Sequence, residues 1–208
     1  LPTGTVAELA ALPITILPGF STALASGVNQ AGNPAPVAFP FGIWFANANT
    51  LYVCDEGDGT LVTPAVDGNV ADAASQATAG VQKWSLVGGT WQLDYILQNG
   101  LNIGVRYSVP NYPASLNPAT DGCRNITGRV NRDGTVAIYA VTSTVSANGD
   151  PGADPNKLVK VIDLLQATTL PKDNFFLGHF FTLRSAQAGE VFRGIAFAPR
   201  NNGGGDDR

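Results

Sequence analysis

The hydrophobic pattern of this chain has a period of two and comes in two similar blocks. In the first, residues 42–46 are apolar on both faces, as expected of a strand buried between other layers. Residues 50–54 form a second strand-like run, entered through the turn Asn47-Ala48-Asn49. After a long intervening stretch, residues 81–87 give a third. Gly88-Gly89 then makes a tight hairpin into residues 91–97. Strict alternation there predicts Trp91, Leu93, Tyr95 and Leu97 on one face and Gln92, Asp94 and Ile96 on the other. The second block keeps the order: residues 124–130, a turn at Asn131-Arg132-Asp133-Gly134, then 135–142, 157–164 and 176–183. Residues 157–165 also fit a helical period, but their β-branched content and place in the order predict a strand.

A short motif marks the start of each block. Phe41-Gly42-Ile43-Trp44-Phe45 returns as Arg193-Gly194-Ile195-Ala196-Phe197 and, more weakly, as Arg124-Asn125-Ile126-Thr127. The expected fold is therefore all-β, built of four-stranded antiparallel meanders that read as β-propeller blades. Residues 1–38 would be the end of a preceding blade plus a loop, with one or two short strands over 5–18. Residues 39–122 would form a blade with long loops and 123–190 a second blade. Residues 191–199 would be the inner strand of a closing blade, and 200–208 a disordered tail. Two blades cannot close a ring that needs about four or more. The chain is thus expected to be the C-terminal part of a larger propeller. Its expected partner is the remainder of that propeller, a missing N-terminal half or a second chain. The alternative is a two-sheet sandwich complete in itself.

Residues 39–98 resemble NHL-type propeller repeats through Pro40, Gly42 and Ile43, then Leu51-Tyr52-Val53-Cys54-Asp55, then Val81-Gln82-Lys83-Trp84. Residues 123–199 resemble them loosely, and the long insertion between the second and third strands departs from the pattern. The wider pattern is similar to secreted bacterial propellers of unassigned role. The resemblance implies that Asp55 caps a turn. Several six-bladed relatives are metal-dependent hydrolases or lactonases, which implies an alternative role for Asn125, with Asp55 or Asp121, around a central calcium ion.

Composition narrows the picture. Charged residues make up 13% of the chain, against 24 Gly and 14 Pro, which favours a loop-rich, extracellular type of protein. A net charge of −4 argues against non-specific nucleic-acid binding. No apolar run approaches the ~20 residues of a membrane helix. The chain has no Met and opens without a basic, apolar leader, and the expectation is that a leader has been removed or that the chain is a fragment. The expected location is secreted or periplasmic.

Chemistry-bearing residues are few. Cys54 and Cys123 fall at blade positions that would be neighbours, and a disulfide is expected between them. One His rules out Cys/His zinc sets, and His179 is expected to be a surface or packing residue. No nucleophile elbow or phosphate loop is present. Arg124 and Arg193 occupy equivalent positions, with Asn125 beside the first. Together they could bind an anionic ligand at the channel mouth, with loops 55–80 and 99–122 around it. The structural reading, in which each Arg only ties neighbouring blades together, is favoured. Asp55, Glu56 and Asp58 form a compact acidic turn that calcium could use, although the spacing fits no helix-loop-helix calcium loop. Residues 150–154 read as a solvated acidic loop. Asn125-Ile126-Thr127 is a glycosylation triplet placed on a strand, where no glycan is expected. Trp44, Trp84 and Trp91 are expected to pack between blades. The leading expectation is a secreted binding or structural module with no cofactor. The alternative is a calcium-dependent hydrolase or lactonase, and an assembly protein pairing open edges is a third, weaker reading.

Overall fold

The computed structural model describes residues 4–10, 13, 15–20, 26–28, 34–36, 38–59, 77–147, 153–172 and 176–198. Before the main body come a helical turn, α1 (Val6–Ala10), and a small hairpin of β1 (Ser26–Val28) and β2 (Pro34–Pro36). Among the described residues of 5–18 the expected strands are not found. Thr5 and Glu8 form a capping box instead: the Glu8 N–H donates to Thr5 Oγ1 and the Thr5 N–H to Glu8 Oε2. The hairpin likewise stands where only a loop was expected.

The body is two four-stranded antiparallel meanders. The first runs β3 (Pro40–Asn47), β4 (Thr50–Asp55), β5 (Gly80–Val87) and β6 (Thr90–Leu97) in spatial order. The second runs β7 (Ala119–Val130), β8 (Thr135–Val145), β9 (Lys157–Leu164) and β10 (Phe181–Ser185). Their turns have local causes. Asn47 Oδ1 accepts the Asn49 N–H at 2.7 Å. Gly88 and Gly89 both take positive φ, which a two-residue hairpin of this hand requires. The last strand starts at Phe181 rather than 176, because Gly178 leaves the extended region at φ 71°.

The sheets pack face to face. Tyr52, Cys54, Val81 and Leu97 of the first meet Cys123, Ile138 and Val161 of the second in one buried core. On the outer face of the first sheet, Leu51, Val53 and Trp91 form a smaller core under Leu17 and Phe20, whose ring stacks on Trp84 at 4.3 Å. Trp44 stacks on Tyr52 and Trp91 meets Phe45 edge-on, so all three Trp are packing residues.

Strict alternation fails on β6. Lys83 pairs with Tyr95 and Trp84 with Leu93, so Asp94 is an extra residue. This bulge turns Tyr95 and Leu97 toward the second sheet while Trp91 and Leu93 stay with the outer face. The predicted single face of β6 is therefore two. On β3 one side packs inward and the other is about half exposed: Phe41, Ile43 and Phe45 are 54%, 56% and 45% exposed. The expected burial of this strand on both faces does not hold among the described residues.

Two glycines let the sheets approach closely. A Cβ on Gly42 would collide with the Arg124 carbonyl oxygen, and one on Gly122 with the Asp55 carbonyl oxygen. Residues 191–198 do not form the expected strand. The Phe192 N–H donates to Asn156 Oδ1 and the Gly194 N–H to Asn125 Oδ1, while Phe197 packs edge-on to Tyr139. Side-chain amides thus satisfy the backbone that a neighbouring strand would otherwise take. The three motif copies are nonetheless in sequence in space: Gly42 lies on Arg124, and Gly194 on Asn125.

A buried charge joins the sheets. Lys83 of β5 and Asp163 of β9 are both fully buried, with Nζ 3.5 Å from Oδ2. The ammonium also donates to the carbonyls of Leu164, Leu165 and Ala167 at 2.6, 3.1 and 2.7 Å and lies 3.1 Å from Tyr95 Oη. The Tyr52 and Tyr95 hydroxyls donate to the Asp163 carboxylate at 2.7 and 2.9 Å. Burial pulls the Lys83 pKa down, and Asp163 partly restores it.

Removing the ammonium would leave a buried carboxylate held only by two phenols. Lys83→Met is expected to cost about 3–5 kcal/mol, read as a lower urea midpoint. Lys83→Met combined with Asp163→Leu should lose clearly less than the sum of the two single changes, because neither buried charge then remains alone.

Candidate functional site

Residues at the adjoining ends of β4 and β7 line a cleft of about 560 Å³. From the first sheet come Phe39 and the turn Glu56, Gly57, Asp58 and Gly59. From the second come Asp121, Arg124, Ser143 and Thr144, and Arg193 completes the lining.

Bulges in β7 place its contribution. Thr120 pairs with Thr144 and Gly122 with Ser143, so Asp121 is left out of the ladder. Cys123 pairs with Thr142 and Ile126 with Ala140, which leaves Arg124 and Asn125 facing the single residue Val141. Each extra residue re-aims a side chain away from the regular pleat. The strand expected over 124–130 starts instead at Ala119, so Asp121 lies within it and not in the expected loop 99–122. Ser143, Thr144 and Phe39 carried no signal of their own.

The acidic turn folds around Asp55. Asp55 Oδ2 accepts the Phe39 N–H and Gln82 Nε2, each at 3.0 Å, and Oδ1 accepts the Gly57 N–H at 3.0 Å. Asp55 thus holds the turn, as the repeat resemblance implied. Burial raises its pKa, with these backbone hydrogen bonds working against the rise. Among the described residues, no group of three or more His, Cys, Asp or Glu side chains is arranged to hold a metal ion. Of the residues offered for calcium, Asp55 accepts the backbone of its own turn and Glu56 accepts the Arg124 Nε–H.

Arg124 and Glu56 form that pair. Arg124 Nε donates to Glu56 Oε2 at 2.6 Å across the junction of the sheets, and the guanidinium lies over the Phe41 ring at 5.6 Å. The bond ties one sheet to the other. It uses only Nε, and Arg124 also lines the cleft together with Arg193. The two arginines thus come to one cleft, whereas Asn125 does not line it. Its Oδ1 is taken by Gly194.

Asp121 is the most unusual group here. It is 1% exposed. Oδ2 accepts the Gly59 N–H at 2.9 Å, and Oδ1 has no hydrogen-bond partner among the described residues. Gly57 lies flat against the carboxylate, and a Cβ there would strike it. Burial, with the charges of Asp58, Asp55 and Glu56, pushes its pKa from 3.8 up to about 7 against the pull of the Gly59 hydrogen bond.

Cys54 and Cys123 are neighbours, as expected, but they are two free buried thiols and not the expected disulfide. Burial, then the hydrogen bond with Cys123, raises the Cys54 pKa well above its ordinary value. The thiolate that disulfide formation requires is therefore disfavoured. His179 lies away from the cleft, beside Gly100 and 5.3 Å from the Phe181 ring. Of the expected solvated loop at 150–154, residues 150–152 lie outside the described residues, and Asp154 is fully buried and accepts the Tyr112 hydroxyl at 2.9 Å. Much of loop 99–122 is also tied down, with the Tyr107 hydroxyl on the Pro155 carbonyl. Residues 60–76 of the other expected binding loop, and the expected tail at 200–208, lie outside the described residues. No helix among the described residues is long and apolar enough to cross a membrane. Comparison of the chain with protein-family models, curated proteins and solved structures finds no match.

The raised Asp121 pKa sets a sign for pH dependence. Between about pH 4 and pH 7 the folded protein keeps a proton that the unfolded chain releases, so this group makes stability fall as pH rises through that window. Asp121→Asn keeps an oxygen for the Gly59 N–H and removes the charge. Urea midpoints measured from pH 4 to pH 8 should fall for the wild type and be flatter for the variant, which should be the more stable of the two at pH 8.

Proposed function

We propose that the two meanders are consecutive blades of an NHL-like β-propeller and that the chain is a secreted binding module with a small-anion site in the cleft. The observation that carries the binding reading is the convergence of Arg124 and Arg193, from successive motif copies, on one cleft. Two bulges aim β7 residues at the same place, and bulges concentrate beside functional sites. The blade reading draws support from the contacts of each motif copy with the next. The half-exposed apolar face of β3 adds to it, since Phe41, Ile43 and Phe45 offer the side on which a preceding blade would pack. The remainder of the propeller is thus the proposed partner. Low charge and abundant Gly and Pro support the secreted location.

Arg124 would give the ligand its Nη donors while Nε keeps Glu56 in place. Titration calorimetry with acetate and phosphate is the test. Arg124→Gln and Arg193→Gln should each weaken the bound anion about tenfold or more, the scale of a lost charge-assisted hydrogen bond. Arg184→Gln, outside the cleft, should leave binding unchanged. Arginine variants that alter stability but no binding constant would return both residues to the purely structural role.

A further inference from the structure

The cleft carries both signs of charge on one lining. Arg124 and Arg193 stand with Glu56, Asp58 and Asp121. A simple anion placed against the guanidiniums would also meet the field of the carboxylates, and a simple cation the reverse. A ligand with both charges meets each of its ends with the opposite sign.

Asp121 gives this argument an atomic position. Its side chain is pinned: Gly57 lies against the carboxylate and the Gly59 N–H holds Oδ2. Oδ1 remains without a donor among the described residues, although the residue is almost wholly buried and lines the cleft. A buried carboxylate oxygen with no donor is costly, and the cost is recovered when a donor arrives. The surrounding Asp55, Glu56 and Asp58 make a positively charged donor the best one.

We infer that the cleft takes a small zwitterion of the free amino-acid type, with its ammonium on Asp121 Oδ1 and its carboxylate on the Arg124 side. The inference rests on the anion-site reading of the same cleft and sharpens it from one charge to two. Gly57 and Gly59 belong to the site as well, because a side chain at position 57 would displace the carboxylate.

Calorimetry on the full chain at pH 8 tests it with three classes of probe. These are free amino acids tried singly, acetate as the carboxylate alone, and methylammonium as the cation alone. At least one amino acid should bind tenfold or more tighter than acetate, and methylammonium should bind more weakly still. Asp121→Asn should cost that amino acid about tenfold or more while acetate binds no more weakly than before, with near-ultraviolet dichroism confirming the fold. If the variant does not fold, the order of the three probes on the wild-type chain decides the matter. Acetate binding as tightly as every amino acid would overturn the zwitterion and leave the anion site standing. Absence of binding by any probe would overturn both.

Discussion

The Lys83 ammonium is the constraint on which the arrangement of the two sheets depends. It leaves β5 of one meander and ends among three carbonyls and a carboxylate at the end of β9 of the other. Taking two charges out of water costs several kcal/mol per ion, which only near-complete hydrogen bonding can offset. Here the acceptors around Nζ and the two phenols on Asp163 come close to that. Apolar faces alone would let one sheet slide over the other at little cost. A buried ammonium that must meet particular carbonyls does not allow it, so the relative position of the sheets is fixed as well as their association.

That fixed position is what makes the cleft. With the sheets held, Gly42 and Gly122 allow backbone to lie on backbone where β3, β4 and β7 meet. The ladder of β7 cannot stay regular at such an approach, and it bulges at Asp121 and at Arg124-Asn125. The same bulges turn an acid and a guanidinium into the gap, while Asp55 folds the opposite turn over them. The Arg124–Glu56 pair is at once a tie between the sheets and one wall of the cleft. The structural and the binding roles of Arg124 are therefore two uses of one side chain.

Much of this fold was legible in the pattern of residues. Six of the eight body strands fall within a few positions of their expected ranges, the starts of β7 and β10 being the exceptions. Tight turns at Gly88-Gly89 and Asn131–Gly134 and alternating runs are local properties, and local chemistry decides them. The failures were local as well where a competing local bond went unread. A capping box made a helical turn of Thr5–Glu8, and Asp121-Gly122, within the expected loop 99–122, belongs to a bulged strand. The pairing of Arg124 with Arg193 at one cleft was legible because they stand at equal places in a repeat.

By itself the sequence determined the meanders, their order and the neighbourhood of the motif copies, because periodicity, turn residues and repetition act within a few residues of one another. Only the tertiary structure decided which face of β6 is inner, that Lys83 is a buried staple rather than one polar position in an alternating strand, and that Asp121 is a buried acid in a cleft. Each of these depends on a desolvated charge or a register shift between distant strands. Such quantities are set by what the opposite sheet presents, and no local window of residues contains it.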